Sequence, residues 1–215
     1  MIDQLKTDFD KMITNLKLSN KNLEIKKKNL SQFSKNGFPN KRIEDWKFSD
    51  LNQIISSNIK DLNFYNNSSS EKVDKATFLS KFDHNKIIFV NGLISNIDLS
   101  YEDETKVSLS RNLDFNEDHN ETNPLVSLNN AFLSSYIGIT VKEGYSFKCP
   151  LIIYNITNSA LKSTALNIRT DIVLEKNSNL KLITLFNDGS ENNFINIIQN
   201  FDISQDAILK SYKID

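Results

Sequence analysis

From Lys86 to Ile214 the chain is a succession of short runs rich in Ile, Val and Leu, broken by polar turns at similar intervals, and that cadence limits the fold more tightly than any other feature. Short apolar runs bounded by Gly, Asn, Asp and Ser are strands, because β-branched side chains suit a pleated surface and the bounding residues suit turns. The spacing predicts strands over Ile137–Val141, Leu151–Ile156, Ala165–Leu174, Leu180–Phe186, Phe194–Ile203 and Ala207–Ile214, with a helix over Pro124–Ser134 carrying Leu125, Leu128, Ala131 and Phe132. Ahead of these, Lys86–Val90 and Leu93-Ile94 flank Asn91-Gly92, the pair that supplies the positive φ angles of a tight hairpin. Such a series builds either a sandwich or the stacked rungs of a parallel β-helix, and periodicity alone does not choose. The repeated sequence of turn, small polar residue and alternating strand in Glu175–Leu182 and again in Ser204–Leu209 favours the coil.

The first part of the chain has a different period. Ile2, Leu5, Phe9, Met12, Ile13 and Leu16 recur at spacings of three and four, which puts them on one helix face. A second helix is predicted over Asn20–Lys35, with Leu23, the aliphatic stem of Lys27, Leu30 and Phe33 inward. Gly37 closes it and Pro39 prevents its resumption. Ser49 is placed to cap a third helix through Leu51, Ile54 and Ile55; Asn66–Ser70 is a polar loop, and Glu71–Phe82 a further short helix. The expected organisation is therefore α+β: a helical domain over residues 1–85 and a β region over 86–215, the opening rungs of a right-handed parallel β-helix.

Composition excludes several roles. Charged residues are 25% of the 215 and nearly cancel, to a net −1, so no global basic field attracts nucleic acid or an anionic membrane. No apolar run approaches the roughly 20 residues that span a bilayer, and the N-terminus has no secretory pattern. A single Cys forms no internal disulfide, which fits a reducing compartment, and the expected location is cytoplasmic.

One segment concentrates rare residues. Gly37-Phe38-Pro39, then Glu44-Asp45-Trp46-Lys47-Phe48 and Leu51, contains the only Trp, one of 3 Pro and one of 5 Gly. It resembles the Trp-containing N-terminal segment of the SufD family, subunits of the SUF iron–sulfur cluster assembly machinery. Further along, Phe89-Val90-Asn91-Gly92 is similar to that family's hairpin, and Leu128-Asn129-Asn130-Ala131-Phe132 to its "LN-x-A-F" helix. Val141, Gly144, Pro150 and Leu151 match a spaced Val/Gly/Pro passage, and Arg169, within Asn167–Glu175, occupies the place of the family's Arg-bearing strand. The related SufB subunit lacks this form of the Trp segment.

The resemblance covers the whole chain but only about the first half of a typical SufD, and implies the rest would hold more rungs and a C-terminal helical region. It implies a scaffold with no catalytic activity and no cofactor of its own. Such a subunit pairs with a SufB-like subunit and binds a SufC-like ATPase, in a complex that builds the iron–sulfur cluster as cargo. The partner-facing surfaces of the family lie in the remaining half. The matching positions Gly37, Pro39, Glu44, Trp46, Lys47, Leu51, Gly92, Asn129, Ala131, Pro150 and Arg169 are expected to be structural, with no catalytic, metal or cofactor residue among them.

Individual residues support bland roles. Trp46 is expected to plug the helical domain onto the β region, in preference to anchoring a partner. Lys26-Lys27-Lys28 is expected to be a solvated helix face, Cys149 a small buried apolar residue, and His84 and His119 surface histidines beside Asp83 and Asp118. Asn187-Asp188-Gly189-Ser190 is a turn and not a phosphate cradle. An alternative is a β-helix enzyme acting on polysaccharide, or a generic β-helix interaction module. The enzyme would need convergent carboxylates on adjacent strands. Asp171 and Glu175 flank one strand, but Lys181 and Thr184 occupy the next. The last strand, ending in Lys210–Asp215, is expected to leave an unpaired edge through which the isolated chain self-associates.

Overall fold

A computed structural model describes residues 2–59, 61–66, 78–111 and 123–214. Helix α1 (Ile2–Asn15) buries Leu5, Phe9 and Met12, the stripe its spacing requires. Helix α2 (Asn20–Asn36) starts at Ser19, whose hydroxyl accepts from the Asn22 N–H, and stops at Gly37, which has a positive φ of 66° and donates its N–H to the Phe33 carbonyl. Its buried face is Asn22, Lys26, Asn29 and Phe33: Phe33 is inward as its spacing predicts, while the other three each lie one residue before the expected Leu23, Lys27 and Leu30. A 3₁₀ turn (Glu44–Trp46) leads to α3 (Leu51–Asn58), capped by the Asp50 side chain and not by Ser49. Helix α4 (Pro124–Phe132) begins at Asn123, with Pro in its first turn, where a missing N–H costs nothing.

Among the described residues nine strands follow the first three helices, with α4 inserted among them. They are β1 (Asn85–Val90), β2 (Leu93–Asp98), β3 (Val107–Ser110), β4 (Tyr136–Val141), β5 (Leu151–Thr157), β6 (Ala165–Leu174), β7 (Asn179–Asp188), β8 (Phe194–Ile203) and β9 (Ile208–Ile214). They form two mixed sheets: a five-stranded sheet in the order β2-β1-β5-β7-β9 and a four-stranded sheet in the order β3-β4-β6-β8. This corrects the expected right-handed parallel β-helix. Each sheet opens with an antiparallel pair, β1 with β2 and β3 with β4, and only then continues in parallel. The first pair follows from Asn91 (φ 49°) and Gly92 (φ 81°), which turn the chain back on itself so that Val90 faces Leu93. The second uses β3, a four-residue strand too short to stand out in the sequence.

The two sheets share one core. Ile87 and Phe89 of β1, Leu151 and Ile153 of β5, and Leu180 and Leu182 of β7 meet Ile137, Ile139 and Val141 of β4 and Ile168, Ile172 and Leu174 of β6. Successive strands from β4 to β9 alternate between the sheets, and the turns that carry the chain across stack on one another. Gly144 donates to the Lys176 carbonyl and Asn177 to that of Gln205.

A second core joins helices to sheet across residue 85. It unites Leu5, Phe9 and Met12 of α1, Phe33 of α2, Leu128, Ala131 and Phe132 of α4, and Ala165 of β6, with Phe194 of β8 against it. Phe38 is its hub, with ring centroids 5.1 Å from Phe33, 6.4 Å from Phe64 and 5.4 Å from Phe194. Asp8, buried on α1, accepts the Phe64 N–H at 2.9 Å and ties the strand-like segment after α3 to this core.

Of the helix predicted over Glu71–Phe82, residues 71–77 lie outside the described residues, as does most of the Asn66–Ser70 loop. Residues 78–82 are not helical; they cross the outer face of β5, where Phe78 meets Tyr154 edge-on.

Candidate functional site: a polar joint beneath helix α4

Between α4 and the outer face of β6 and β8 the chain buries polar side chains in place of hydrocarbon. Asn129, wholly buried, donates from Nδ2 to the carbonyls of Ile168 on β6 and Asn196 on β8, both at 3.0 Å, so one amide holds the helix to two neighbouring strands. Asn196 returns the contact, donating to the Leu125 carbonyl at 2.8 Å and to Asn167 Oδ1 at 3.0 Å. The Asn129 Oδ1 is buried and meets no donor from the described protein residues. Ala131, also fully buried, packs in the helical core.

Arg169 is the second element. It is 6% exposed; its Nε donates to both oxygens of Asp171 at 3.0 and 3.3 Å, and Nη1 to Asn130 Oδ1 at 3.0 Å. Asp171 also accepts from Asn200 Nδ2 at 2.9 Å and Tyr136 Oη at 3.3 Å. Burial, reinforced by the Asp171 carboxylate, pushes the Tyr136 hydroxyl up to about 12. Tyr136 crosses Gly138, where a Cβ would stand 2.7 Å from the hydroxyl.

Lys26 completes the joint from α2. It is 1% exposed, and its Nζ donates to the carbonyls of Leu133 at 2.6 Å, Asn130 at 3.3 Å and Ala131 at 3.4 Å. These are acceptors at the C-terminal end of α4, which have no partner inside the helix and carry its negative end of the dipole. Burial lowers the Lys26 ammonium to about 7. The expectation of a solvated face for Lys26-Lys27-Lys28 therefore holds for Lys27 and Lys28 and fails for Lys26. Asn29 of α2 reaches Asn130 Nδ2 at 3.4 Å, so α2, α4 and β6 are joined by one chain of side chains.

The remaining motif residues lie elsewhere. Gly92 is in the hairpin turn, where a Cβ would lie 3.2 Å from Leu166 Cδ2. Pro150 accepts the Asn85 N–H at 2.8 Å, beside Glu102, whose carboxylate takes the N–H groups of Lys148 and Cys149, the Tyr145 hydroxyl and the Asn85 amide. Gly37 closes α2, Pro39 is buried next to Phe38, and Leu51 packs against the helical core. Glu44 and Lys47 make an exposed ion pair at 3.3 Å. Trp46 is half-buried on the 3₁₀ turn and outside the aromatic cluster, so Phe38 and not Trp46 is the plug between helices and sheet.

His84 is not a surface residue. It is buried, with Nδ1 3.0 Å from the Phe82 carbonyl and Nε2 2.9 Å from Tyr154 Oη. A carbonyl only accepts, so Nδ1 carries the proton and Nε2 accepts from the tyrosine. His119 lies outside the described residues. Cys149 is half-buried and unbridged. Asp188 accepts from Ser190 of its own turn and from Thr157 at the end of the neighbouring strand β5. Among the described residues no three His, Cys, Asp or Glu side chains gather as a metal site, and no helix is long and apolar enough to cross a membrane.

The signal missed in α2 is Asn22, Lys26, Asn29 and Phe33, spaced four, three and four, a polar stripe at helical period. No protein-family model matches the chain, and no curated protein matches it.

Proposed function

We propose that this chain is a non-catalytic scaffold subunit in iron–sulfur cluster assembly, of the SufD kind, working in the cytoplasm with a SufB-like subunit and a SufC-like ATPase. The observation that supports this reading best is the convergence of Asn129, Ala131 and Arg169, three positions on which the resemblance rests, in one internal joint between the helical layer and the sheets. Residues used to lock two layers together suit a body that positions partners. The cluster is cargo in this reading, and the ATPase activity belongs to a partner.

The competing reading as a polysaccharide-cleaving enzyme needs a carboxyl that keeps its proton and another free to act. Asp171 is occupied by Arg169, Asn200 and Tyr136. The Glu175 carboxyl is held below its ordinary range by Lys142 at 2.9 Å and the Glu143 N–H, the opposite of what an acid catalyst requires.

The test is to tag the gene product in its own cells and isolate it without oxygen. Recovery with an ATPase and a SufB-like subunit is the expected result. A chain that comes out alone from cells expressing both proteins sinks the proposal.

A further inference from the structure

Residues 78–83 cross the outer face of β5 as a strap, and one side chain beneath them, Tyr154, holds them there. The Tyr154 ring is wholly buried and meets the Phe78 ring edge-on, 5.0 Å between centroids. Its hydroxyl accepts the Leu79 N–H at 3.2 Å and lies 2.9 Å from His84 Nε2, where the strap enters β1. Leu79 and Phe82, the other large apolar side chains of the strap, are exposed and add little to its hold. A further tie, from Tyr101 Oη to Asp83 at 3.0 Å, lies at the surface.

The hydrogen bonds of this contact have one consistent direction. His84 Nδ1 donates to the Phe82 carbonyl, so Nε2 is an acceptor and the Tyr154 hydroxyl is its donor. Burial pushes that hydroxyl above its ordinary range, so its single proton stays in place and is committed to the imidazole while a lone pair takes Leu79. A second proton on the ring can bind only at Nε2, the atom that already accepts from the tyrosine. Nε2–H and Oη–H would then point at one another. The hydroxyl proton would have to turn into the apolar cluster that Tyr154 shares with Phe78, Ile152 and Ile156, and a charge would be buried beside it.

Both ring nitrogens face neutral partners, so neither holds a carboxylate that would stabilise the charged ring. The ionisable groups around them are engaged elsewhere or stand in water. Asp83 takes the Tyr101 hydroxyl, Lys86 of β1 pairs with Asp98 of β2 at 3.6 Å, and Lys81 is exposed on the strap. Glu102, beyond Asn85, is filled by the N–H groups of Lys148 and Cys149 and by the Tyr145 hydroxyl.

We propose that His84 and Tyr154 form an acid-released latch: with a neutral imidazole the strap over residues 78–83 is closed on β5, and protonation of His84 opens it while both sheets stay folded. The inference goes beyond the scaffold reading and does not depend on it. Opening uncovers the Tyr154 ring, so the outer surface of the five-stranded sheet differs between neutral and acidic solution.

The test is amide hydrogen exchange of the full chain at about pH 8 and about pH 5, the range over which histidine ordinarily changes charge, with each rate divided by the intrinsic rate at that pH. In the wild type the Leu79 amide is expected to lose protection by at least about tenfold on going to acid, while amides of β5 and β6 keep theirs. His84→Gln, which keeps a donor and an acceptor on a neutral side chain, should give Leu79 the same protection at both pH values. Tyr154→Phe, which keeps the ring and removes the hydroxyl, should leave Leu79 unprotected at both. Circular dichroism checks that each variant is folded. The proposal is overturned by wild-type protection of Leu79 that does not change with pH, by a loss equally large in His84→Gln, or by protection that persists in Tyr154→Phe. An acid loss that extends through β5 also overturns it, because that is unfolding of the sheet and not release of a strap.

Discussion

Lys26 Nζ lies 2.6 Å from the carbonyl oxygen of Leu133, 107 residues further along the chain. That contact, with those to Asn130 and Ala131, makes a lysine of α2 the cap of α4. A cation at a helix C-terminus meets both the unpaired carbonyls and the negative end of the dipole. Replacing the usual glycine or water with a buried side chain from another helix fixes the two helices relative to each other, and through Asn130 and Arg169 fixes both to β6.

The same burial makes stability depend on pH. The Lys26 ammonium falls from 10.5 to about 7 in the folded chain. Below about 7 folded and unfolded chains both hold the proton, and the full cost of burying the charge is present. Between about 7 and 10.5 the unfolded chain binds a proton that the folded chain has released, so this residue makes stability rise with pH across that window. Urea unfolding of wild type and Lys26→Met at a series of pH values isolates the effect, because the other titrating groups are common to both. The difference between the two should change steadily above pH 7 in favour of the wild type; parallel pH profiles would refute it.

Phe38 and Trp46 should exchange the ranks their rarity suggests. Phe38 is 2% exposed and packs on Phe33, Phe64 and Phe194, so Phe38→Ala should cost about 3–5 kcal/mol. Trp46 is half-buried outside that cluster, and Trp46→Ala should cost about 1 kcal/mol. Chemical denaturation decides between them, and equal losses would mean Trp46 has a structural load its surroundings do not show.

Much of this architecture was legible from local pattern. The stripe Leu5, Phe9, Met12 placed α1, and Asn91-Gly92 placed the first hairpin, because one helix face and one tight turn are decided by neighbouring residues. What depended on distant residues was not. Cadence locates strands but says nothing of which edges pair, so the antiparallel openings β1–β2 and β3–β4, which make the sheets mixed, were hidden behind a regular rhythm. The buried face of α2 keeps Phe33 but takes Lys26 in place of Lys27, because the partners of Lys26 are carbonyls at the end of α4, and a lysine is inward only where such acceptors wait for it. His84 reads as a surface residue in the sequence for the same reason: the hydroxyl that donates to its Nε2 belongs to a tyrosine 70 residues away. In the joint, Asn129 and Arg169 were legible as conspicuous positions, while Asp171 stood out only as a candidate acid, Asn130 only as a motif neighbour, and Tyr136 not at all.

Arg169 should tolerate no cationic substitute. Its fork reaches Asp171 through Nε and Asn130 through Nη1, and an ammonium presents a single point of charge. Arg169→Met leaves Asp171, whose side chain is 20% exposed, with only Asn200 and Tyr136, and should cost about 3 kcal/mol. Arg169→Lys should recover less than half of that loss. A lysine variant as stable as the wild type would show that charge alone, and not the fork, is what the joint uses.

Gly138 tests the joint from its far side. It pairs in register with Asp171, and Tyr136, two residues back on the same face, lies across it to reach that carboxylate at 3.3 Å. A Cβ at 138 would come within 2.7 Å of the tyrosine oxygen and 3.3 Å of Cζ, so the ring must swing away and give up the hydrogen bond. Gly138→Ala should therefore destabilise the chain by roughly 1–3 kcal/mol. Most of that cost should vanish in a Tyr136→Phe background, where the colliding hydroxyl and its hydrogen bond are already absent, giving a coupling of about 1 kcal/mol in a double-mutant cycle. Strict additivity of the two substitutions would mean that the alanine acts through the strand backbone and that the close approach of Tyr136 to Gly138 has no energetic role.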